Sequence, residues 1–428
     1  MIGMIIWILW AILLFVVASI WASRHLEINQ AKRMQLAISS NSYDSSSRYD
    51  GLTKDGLTKD GATTGAPFVS VLIAGKDEEA NIERAVRSML RQDYPNFELI
   101  VVNDRSTDKT PEILERLQAE DATGRLKVVH VAELREGWFG KSNAMRVGLE
   151  SARGDWFCFG DADCNQTSER SLSIAVRHAL EKKADFLSVL PRLETESLWE
   201  RIVQPVAGAV MVLWFDPRKV NDPNTTNAYA NGAFILMTRQ CYEAIGGFEA
   251  VKTEINEDMH MARLAKERRQ RLIVCQNNDL YTVRMYSNFS QIWQGWSRIF
   301  YGCFGTFRRL RLSMMMLIVM NVFPYSSLLL AGAVMVATGG EPASVGWNWI
   351  LLASASAVGM QLSLIARFYK LSDANPWLAP TFIVGAVVCI GILGSAMMKL
   401  NGRRAVTWRG TSYRGQQVAS ASVLNESN

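Results

Sequence analysis

The chain has 428 residues, 49% of them hydrophobic, and its 46 Lys and Arg against 41 Asp and Glu leave a net charge of +5. So slight a basic excess does not suit a nucleic-acid binder; it suits a membrane protein that handles an anionic substrate. Six cysteines (Cys158, Cys164, Cys241, Cys275, Cys303, Cys389) without paired spacing, and four scattered histidines, point away from a disulfide framework and from a zinc site.

In chain order, residues 4–22 carry no charge and are long enough to span a bilayer. No basic residue precedes them and the apolar run is too long for a signal peptide, so a retained anchor over 1–23 is expected. Residues 24–66, with GLTKD twice in tandem, read as a flexible linker. From Phe68 to about Val283 short apolar runs alternate with amphipathic stretches. Strands are expected at 68–74, 97–104, 126–131, 156–159 and 185–190, and helices at 79–91, 109–120, 141–152 and 168–182. Such alternation predicts an α/β sheet with parallel members. Three further apolar runs follow, at about 314–337, 346–366 and 377–398.

Open sheets of this kind collect ligands beyond the carboxyl ends of their strands. Acids stand at three such ends. Lys76, Asp77, Glu78 and Glu79 follow the first strand, Asp104 closes the second, and Asp161 and Asp163 follow the fourth. Alternate residues of an extended chain point the same way, so Asp161 and Asp163 are expected to aim at one point. Two carboxylates held that close raise each other's pKa unless a cation lies between them. Converging carboxylates without His or Cys prefer a hard cation, Mg²⁺ or Mn²⁺, completed by substrate phosphates. An Asp-x-Asp triplet alone is also an ordinary polar loop.

Lys141, at a helix start, is either a solvated lysine or a point charge for phosphates. Glu257 and Asp258 open a further helix, either as first-turn acids complementing its dipole or as a general base at the crevice edge. His260 reads as a packing histidine. In residues 287–312 the aromatics Phe289, Trp293, Trp296, Phe300, Phe304 and Phe307 fall on one helical stripe, followed by Arg308, Arg309 and Arg311. This pattern predicts a helix in the headgroup region with its aromatics in lipid, and with Gln294 and Arg298 turned to the crevice. Core packing is the alternative reading of the stripe.

The ordered series VSVLIAGKDEEANI, ELIVVNDRSTDKT, GWFGKSNAMRVG, DADCN, NGAFILMTRQCYEAIGGFEAVKTEINEDMHMA and RMYSNFSQIWQGWSR resembles membrane-bound family 2 glycosyltransferases of GT-A fold. The likeness covers about 67–300, and within the family it is to the lipid-glycosylating branch of ceramide glucosyltransferases and hopanoid- or carotenoid-associated transferases. VTWRGTSYRG at 406–415 is similar to that branch's basic tail. The resemblance implies a Rossmann-like mixed sheet over 67–284, an interfacial amphipathic helix over 285–312, transmembrane segments within 313–400 and a basic tail over 401–428.

It also implies site roles. Ala74, Lys76 and Glu78 would frame the nucleotide base and ribose, and Asp104 would contact the base. Asp161 and Asp163 would be the Asp-x-Asp pair, with Asp163 on the metal, and Asp258, beside Glu257, would be the base. Gln294, Trp296 and Arg298 fall where many members carry Gln-x-x-Arg-Trp. The order here is Gln-Gly-Trp-Ser-Arg, which argues against a processive polysaccharide synthase. The implied reaction is inverting transfer from a nucleotide-diphosphate sugar, a UDP-sugar by the resemblance, to a lipid hydroxyl; a catalytically inactive nucleotide-sugar binder is the alternative from another class.

An integral protein of the cell membrane with a cytoplasmic catalytic domain is expected. The charge bias agrees for Arg24, Lys32 and Arg33, for Arg308, Arg309 and Arg311, and for Arg367 and Lys370. A fourth full crossing would put Lys399, Arg403, Arg404, Arg409 and Arg414 on the far side, against that bias. Either one C-terminal segment is re-entrant or the tail breaks the rule; a cytosolic tail is the expectation.

Overall fold

A computed structural model of the chain describes residues 2–33, 37–43, 66–339, 345–371, 374–401, 406–408 and 411–413. The tandem GLTKD repeat and the tail arginines Arg403, Arg404, Arg409 and Arg414 lie outside the described residues.

Helix α1 (Ile2–Arg33) leads into a short strand, β1 (Ala37–Ile38). The alternating region follows as β2 (Val69–Gly75), α2 (Ile82–Leu90), β3 (Phe97–Asp104), α3 (Thr110–Glu120), β4 (Leu126–Val131), α4 (Gly140–Leu149) and β5 (Trp156–Asp161). Next come β6 (Cys164–Gln166), α5 (Ser171–Lys182), β7 (Phe186–Leu190), β8 (Arg192–Leu193), α6 (Leu198–Trp214) and α7 (Pro217–Asn221). The sheet region closes with β9 (Phe234–Thr238), α8 (Arg239–Ala244), α9 (Gly247–Ala250), α10 (Glu257–Glu267), β10 (Leu272–Asn277) and β11 (Tyr281–Val283). Then follow α11 (Phe289–Phe304), α12 (Phe307–Leu317), a π turn at Ile318–Val322, α13 (Phe323–Ala337), α14 (Val345–Leu371), a 3-10 turn at Pro376–Thr381 and α15 (Phe382–Leu400). A last hairpin pairs β12 (Val406–Trp408) with β13 (Thr411–Tyr413).

The eight-stranded sheet runs β1-β10-β7-β9-β5-β2-β3-β4. All its pairings are parallel except those of β9, which is antiparallel to both β5 and β7. The expected mixed α/β sheet is therefore present, with each expected strand and helix in place. Its strands are near-continuous apolar runs because helices cover both faces; every residue of β3 is buried. From β2 the chain moves one way to β3 and β4, then returns to the other side of β2 as β5. That reversal opens a crevice at the carboxyl ends of β3, β2 and β5. A second, three-stranded sheet orders as β6-β11-β8.

Where a linker was expected, residues 37–43 dock onto the domain. β1 pairs with β10, the Ser40 amide and hydroxyl both bond Asp279, and the Tyr43 hydroxyl meets His178 Nδ1 at 2.9 Å. An open sheet edge attracts another strand, and β1 fills it.

The aromatic stripe does not face lipid. Gly305 is left-handed at φ 61° and ends α11, and Thr306 caps α12, so Phe307 falls beyond a break. Trp296, Phe300 and Phe304 are buried in one apolar cluster with α6 and α15. The returning apolar helix α15 supplies a protein surface for the stripe, and core packing wins.

Four helical stretches among the described residues are long and apolar enough to cross a membrane: Ile5–Leu26, Phe307–Ala337, Gly346–Lys370 and Pro376–Leu400. α1 and α14 lie parallel. Trp7 stacks edge-on against Trp347 with centroids 4.3 Å apart, and at the other end Arg367 donates to the His25 carbonyl at 3.5 Å. α13 runs opposite to them, for Trp10 Nε1 donates to Ser327 Oγ and Trp21 Nε1 to the Met320 carbonyl.

Candidate active site

The crevice is assembled from the ends of β3, β2 and β5 and the starts of β9, α4 and α10. Ala74 on β2 stands opposite Asp161 on β5 and Val102 on β3, so Asp161 and Asp104 flank β2, with Asp104 two residues further along towards the carboxyl edge. β9 enters antiparallel, with Phe234 opposite Gly160, which brings Gly232 beside the end of β5. Helix α4 starts here too. A Cβ at Gly140 would come 2.8 Å from Asp104 Oδ2, so only glycine lets the helix start this near the acid.

Lys141 joins the segments. Its Nζ lies 2.6 Å from Asp161 Oδ1 and 2.8 Å from Glu257 Oε1. Burial alone would lower its pKa, but the two carboxylates outweigh burial and hold the ammonium well above the usual lysine value. Asp258 lies next to it: a Cβ at Gly232 would come 3.0 Å from Lys141 Nζ and 3.5 Å from Asp258 Oδ2. The Gly232 amide donates to Asp258 Oδ2 at 2.8 Å and the Met259 amide to Oδ1 at 2.7 Å. Burial, aided by the Glu257 charge, pushes the Asp258 carboxyl up to about 7, while Lys141 and the two amides pull the other way. Asp258 thus keeps a proton into the neutral range despite its place in the first turn of α10.

Asp104 is buried and forked by its neighbour, with Arg105 Nε 2.8 Å from Oδ1 and Nη2 3.0 Å from Oδ2. Arg105 is left-handed at φ 55°, which turns its guanidinium back onto the acid. Glu78 is buried and lies under the Asp161–Asp163 turn: a Cβ on Gly75 would touch both Ala162 Cβ and Glu78 Cγ. Lys76 stands half-buried just past β2. Asp163 and Arg298 both act on the buried Tyr286 phenol, which burial raises, Arg298 lowers and Asp163 raises. Tyr286 packs against α11, where a Cβ at Gly295 would strike its ring.

Other candidates fall elsewhere. Asp77 and Glu79 do not face the crevice. Asp77 Oδ1 accepts from the Thr107 amide at 2.7 Å, and Glu79 Oε2 from the Lys109 amide at 3.2 Å, clamping the loop after β3. Unpaired loop amides attract carboxylates, and these two acids answer that need. Gln294 is exposed and bonds back to Ser290 Oγ at 3.1 Å. Trp296 is buried against Phe300, with ring centroids 5.4 Å apart. His260 packs with its Nε2 3.1 Å from Glu254 Oε2, and burial lowers its pKa to about 4. Arg105, Gly232 and Tyr286 escaped sequence reasoning. A charged residue with positive φ and a glycine at a strand start leave no periodic trace.

The donor set at the end of β5 suits a hard divalent cation. Asp161 and Asp163 offer carboxylate oxygens, while the nearest thiol, Cys164, turns away to the Ala233 carbonyl at 3.3 Å. Among the described residues no group of three or more His, Cys, Asp or Glu stands close enough to form a protein-only cage. Mg²⁺ commonly binds through one or two carboxylates with substrate phosphates as the remaining ligands, and this pair fits that mode.

Residues 70–246 match the model described as Glycosyl transferase family 2, and the chain carries a domain of that family. Over 199 residues it is 29% identical to a Beta-monoglucosyldiacylglycerol synthase of Nostoc sp., a match covering 46% of this chain and 40% of that protein. Over 233 residues it is 25% identical to a 4,4'-diaponeurosporenoate glycosyltransferase of Staphylococcus aureus, covering 54% of this chain and 60% of that one. The chain thus spans about half the length of these relatives. A solved mannosyltransferase of Pyrobaculum calidifontis, in complex with GDP-Man and Mn²⁺, overlays with a TM-score of 0.49 at 18% identity, covering 91% of this chain and 99% of that one.

Proposed function

We propose that the chain transfers a sugar from a nucleoside-diphosphate sugar to a hydroxyl of a membrane lipid, with inversion at the anomeric carbon. The observation that carries this reading is the setting of Asp258: a half-buried carboxylate beside Lys141 that accepts from the Gly232 and Met259 amides, its carboxyl pushed up to about 7 by desolvation and the Glu257 charge. A base whose pKa lies near the working pH is the effective one. Asp258 accepts the proton of the acceptor hydroxyl as that oxygen bonds to the anomeric carbon. The bond from that carbon to the diphosphate oxygen breaks on the opposite face, and its electron pair leaves with the nucleoside diphosphate.

Lys141, held charged, stands where negative charge grows on the leaving group. Asp104, fixed by Arg105, meets the base, and Ala74, Lys76 and Glu78 line the nucleoside side. Asp161 and Asp163 would hold Mg²⁺ or Mn²⁺, which when bound neutralises the departing diphosphate. Arg298, Glu257 and Tyr286 order the acceptor side; Gln294 and Trp296 have no part in contacting the sugar. Two relatives named for a diacylglycerol glycolipid and a carotenoid acid support a lipid acceptor, and the apolar helices keep it within reach. Nucleotide sugars are cytosolic, so the crevice belongs on the cytosolic face of the cell membrane.

The test is Asp258→Asn. Donor binding, measured by calorimetry with Mn²⁺, is expected to persist while transfer falls at least ~10²-fold. Equal turnover would remove Asp258 from the reaction. Asp163→Ala is expected to abolish the dependence of donor binding on the divalent ion; an unchanged dependence would count against its ligand role.

A further inference from the structure

α15 has the length and composition of a membrane span, yet its neighbours all stand at one level. Gly385, near its start, lies so close to α6 that a Cβ there would strike the Ile202 carbonyl. Cys389 Sγ lies 4.0 Å from the Val203 carbonyl, and Gly391 packs under the Trp293 ring of α11. Near its end, Lys399 Nζ donates to Ser297 Oγ of α11 at 2.6 Å. Both ends are therefore held by helices of the catalytic half. A helix of 19 residues is about 28 Å long, so a crossing α15 would carry one end to the far side of the bundle.

The far side is marked by Trp7, Trp10 and Trp347, which cluster with Ala331 and Ile350. The buried residues of α15 belong instead to the cluster of α6, α11, α12 and the last turns of α14. The near side is marked by Trp21, bonded to Met320 in the π turn, and α15 packs against that turn and the helix before it. Val384, Val387 and Met398 on α15, and Leu198, Val212 and Leu213 on α6, face outward and are exposed. α15 packs on α12, the first helix of the membrane-length stretch Phe307–Ala337, so these exposed apolar side chains adjoin that stretch, and lipid is the occupant they fit.

We propose that α15 lies in the bilayer interface on the side of the catalytic domain and does not cross. Among the described residues the crossings are then three, through α1, α12–α13 and α14, and Asn401 stands on the same side as the crevice. With no fourth crossing, Lys399 falls with Arg24, Arg367 and Lys370, and the basic residues that follow it in the sequence no longer conflict with the positive-inside bias. It does not depend on which reaction the crevice performs.

Single added cysteines test it in the full chain, because all six native thiols are buried. Asn401→Cys follows α15, Glu267→Cys lies on the catalytic domain and Thr338→Cys ends α13; all three positions are exposed. Sealed vesicles of each orientation are treated with a membrane-impermeant maleimide. Asn401→Cys is expected to label in the same vesicles as Glu267→Cys, with Thr338→Cys labelling only in the others. Labelling of Asn401→Cys with Thr338→Cys, or any other pattern, overturns the proposal.

Discussion

At the scale of single residues the proposed reaction turns on Lys141 and Asp258. The carboxyl of Asp258 is raised from 3.8 to about 7, so the native state holds this proton more tightly than the unfolded chain does. Its contribution to stability is complete below about pH 4 and is lost as pH rises through 7. Activity runs the other way, since a base must be ionised. Transfer by the wild type is expected to rise with an ionisation near 7, measured as kcat/KM against pH, and that limb is expected to vanish in Asp258→Asn. The same variant is expected to melt higher than wild type at pH 8.5 and to show little difference at pH 4, measured by thermal unfolding in detergent. Lys141→Met removes the charge proposed to meet the leaving group, and nucleoside diphosphate binding is expected to weaken about tenfold or more. The acids at Asp104, Asp161 and Asp258 were legible because strand ends and helix starts could be located from pattern alone. The exclusion of Asp77 and Glu79 was not legible, for their partners are backbone amides 30 residues away in sequence.

Helix boundaries follow local rules at the scale of elements. Ser197 and Glu200 form a reciprocal cap at the start of α6, and Asn288 and Thr306 cap α11 and α12. What local rules do not state is what an apolar face meets. The stripe at Trp296, Phe300 and Phe304 has the spacing of a helix lying on lipid and equally of a helix lying on protein. Phe300 is fully buried between its own stripe-mates and the cluster formed with α6 and α15. Phe300→Ala is expected to destabilise the chain by about 3–5 kcal/mol, read as a lowered midpoint in denaturant; a lipid-facing phenylalanine would change the midpoint by far less.

The molecule as a whole divides its apolar surface between two tasks. One cluster joins α1, α13 and α14, and another fastens α15 to helices of the catalytic half. Truncation after Ala374 removes α15 and uncovers Ile202, Val206, Trp293 and Phe300. The catalytic half is expected to lose thermal stability on that truncation, whereas an independent span could be removed without effect on it. The alternating sheet, the crevice at its carboxyl edge, the acids expected there and the apolar helices were legible in the chain's own pattern, because each is written in a short period or at a strand end. Folding in three dimensions was needed to show that Lys141 bridges Asp161 to Glu257, that residues 37–43 close the sheet edge, and that the aromatic stripe packs on α15. Those are meetings between segments tens to hundreds of residues apart, and local spacing constrains how a segment folds without naming the surface it will cover.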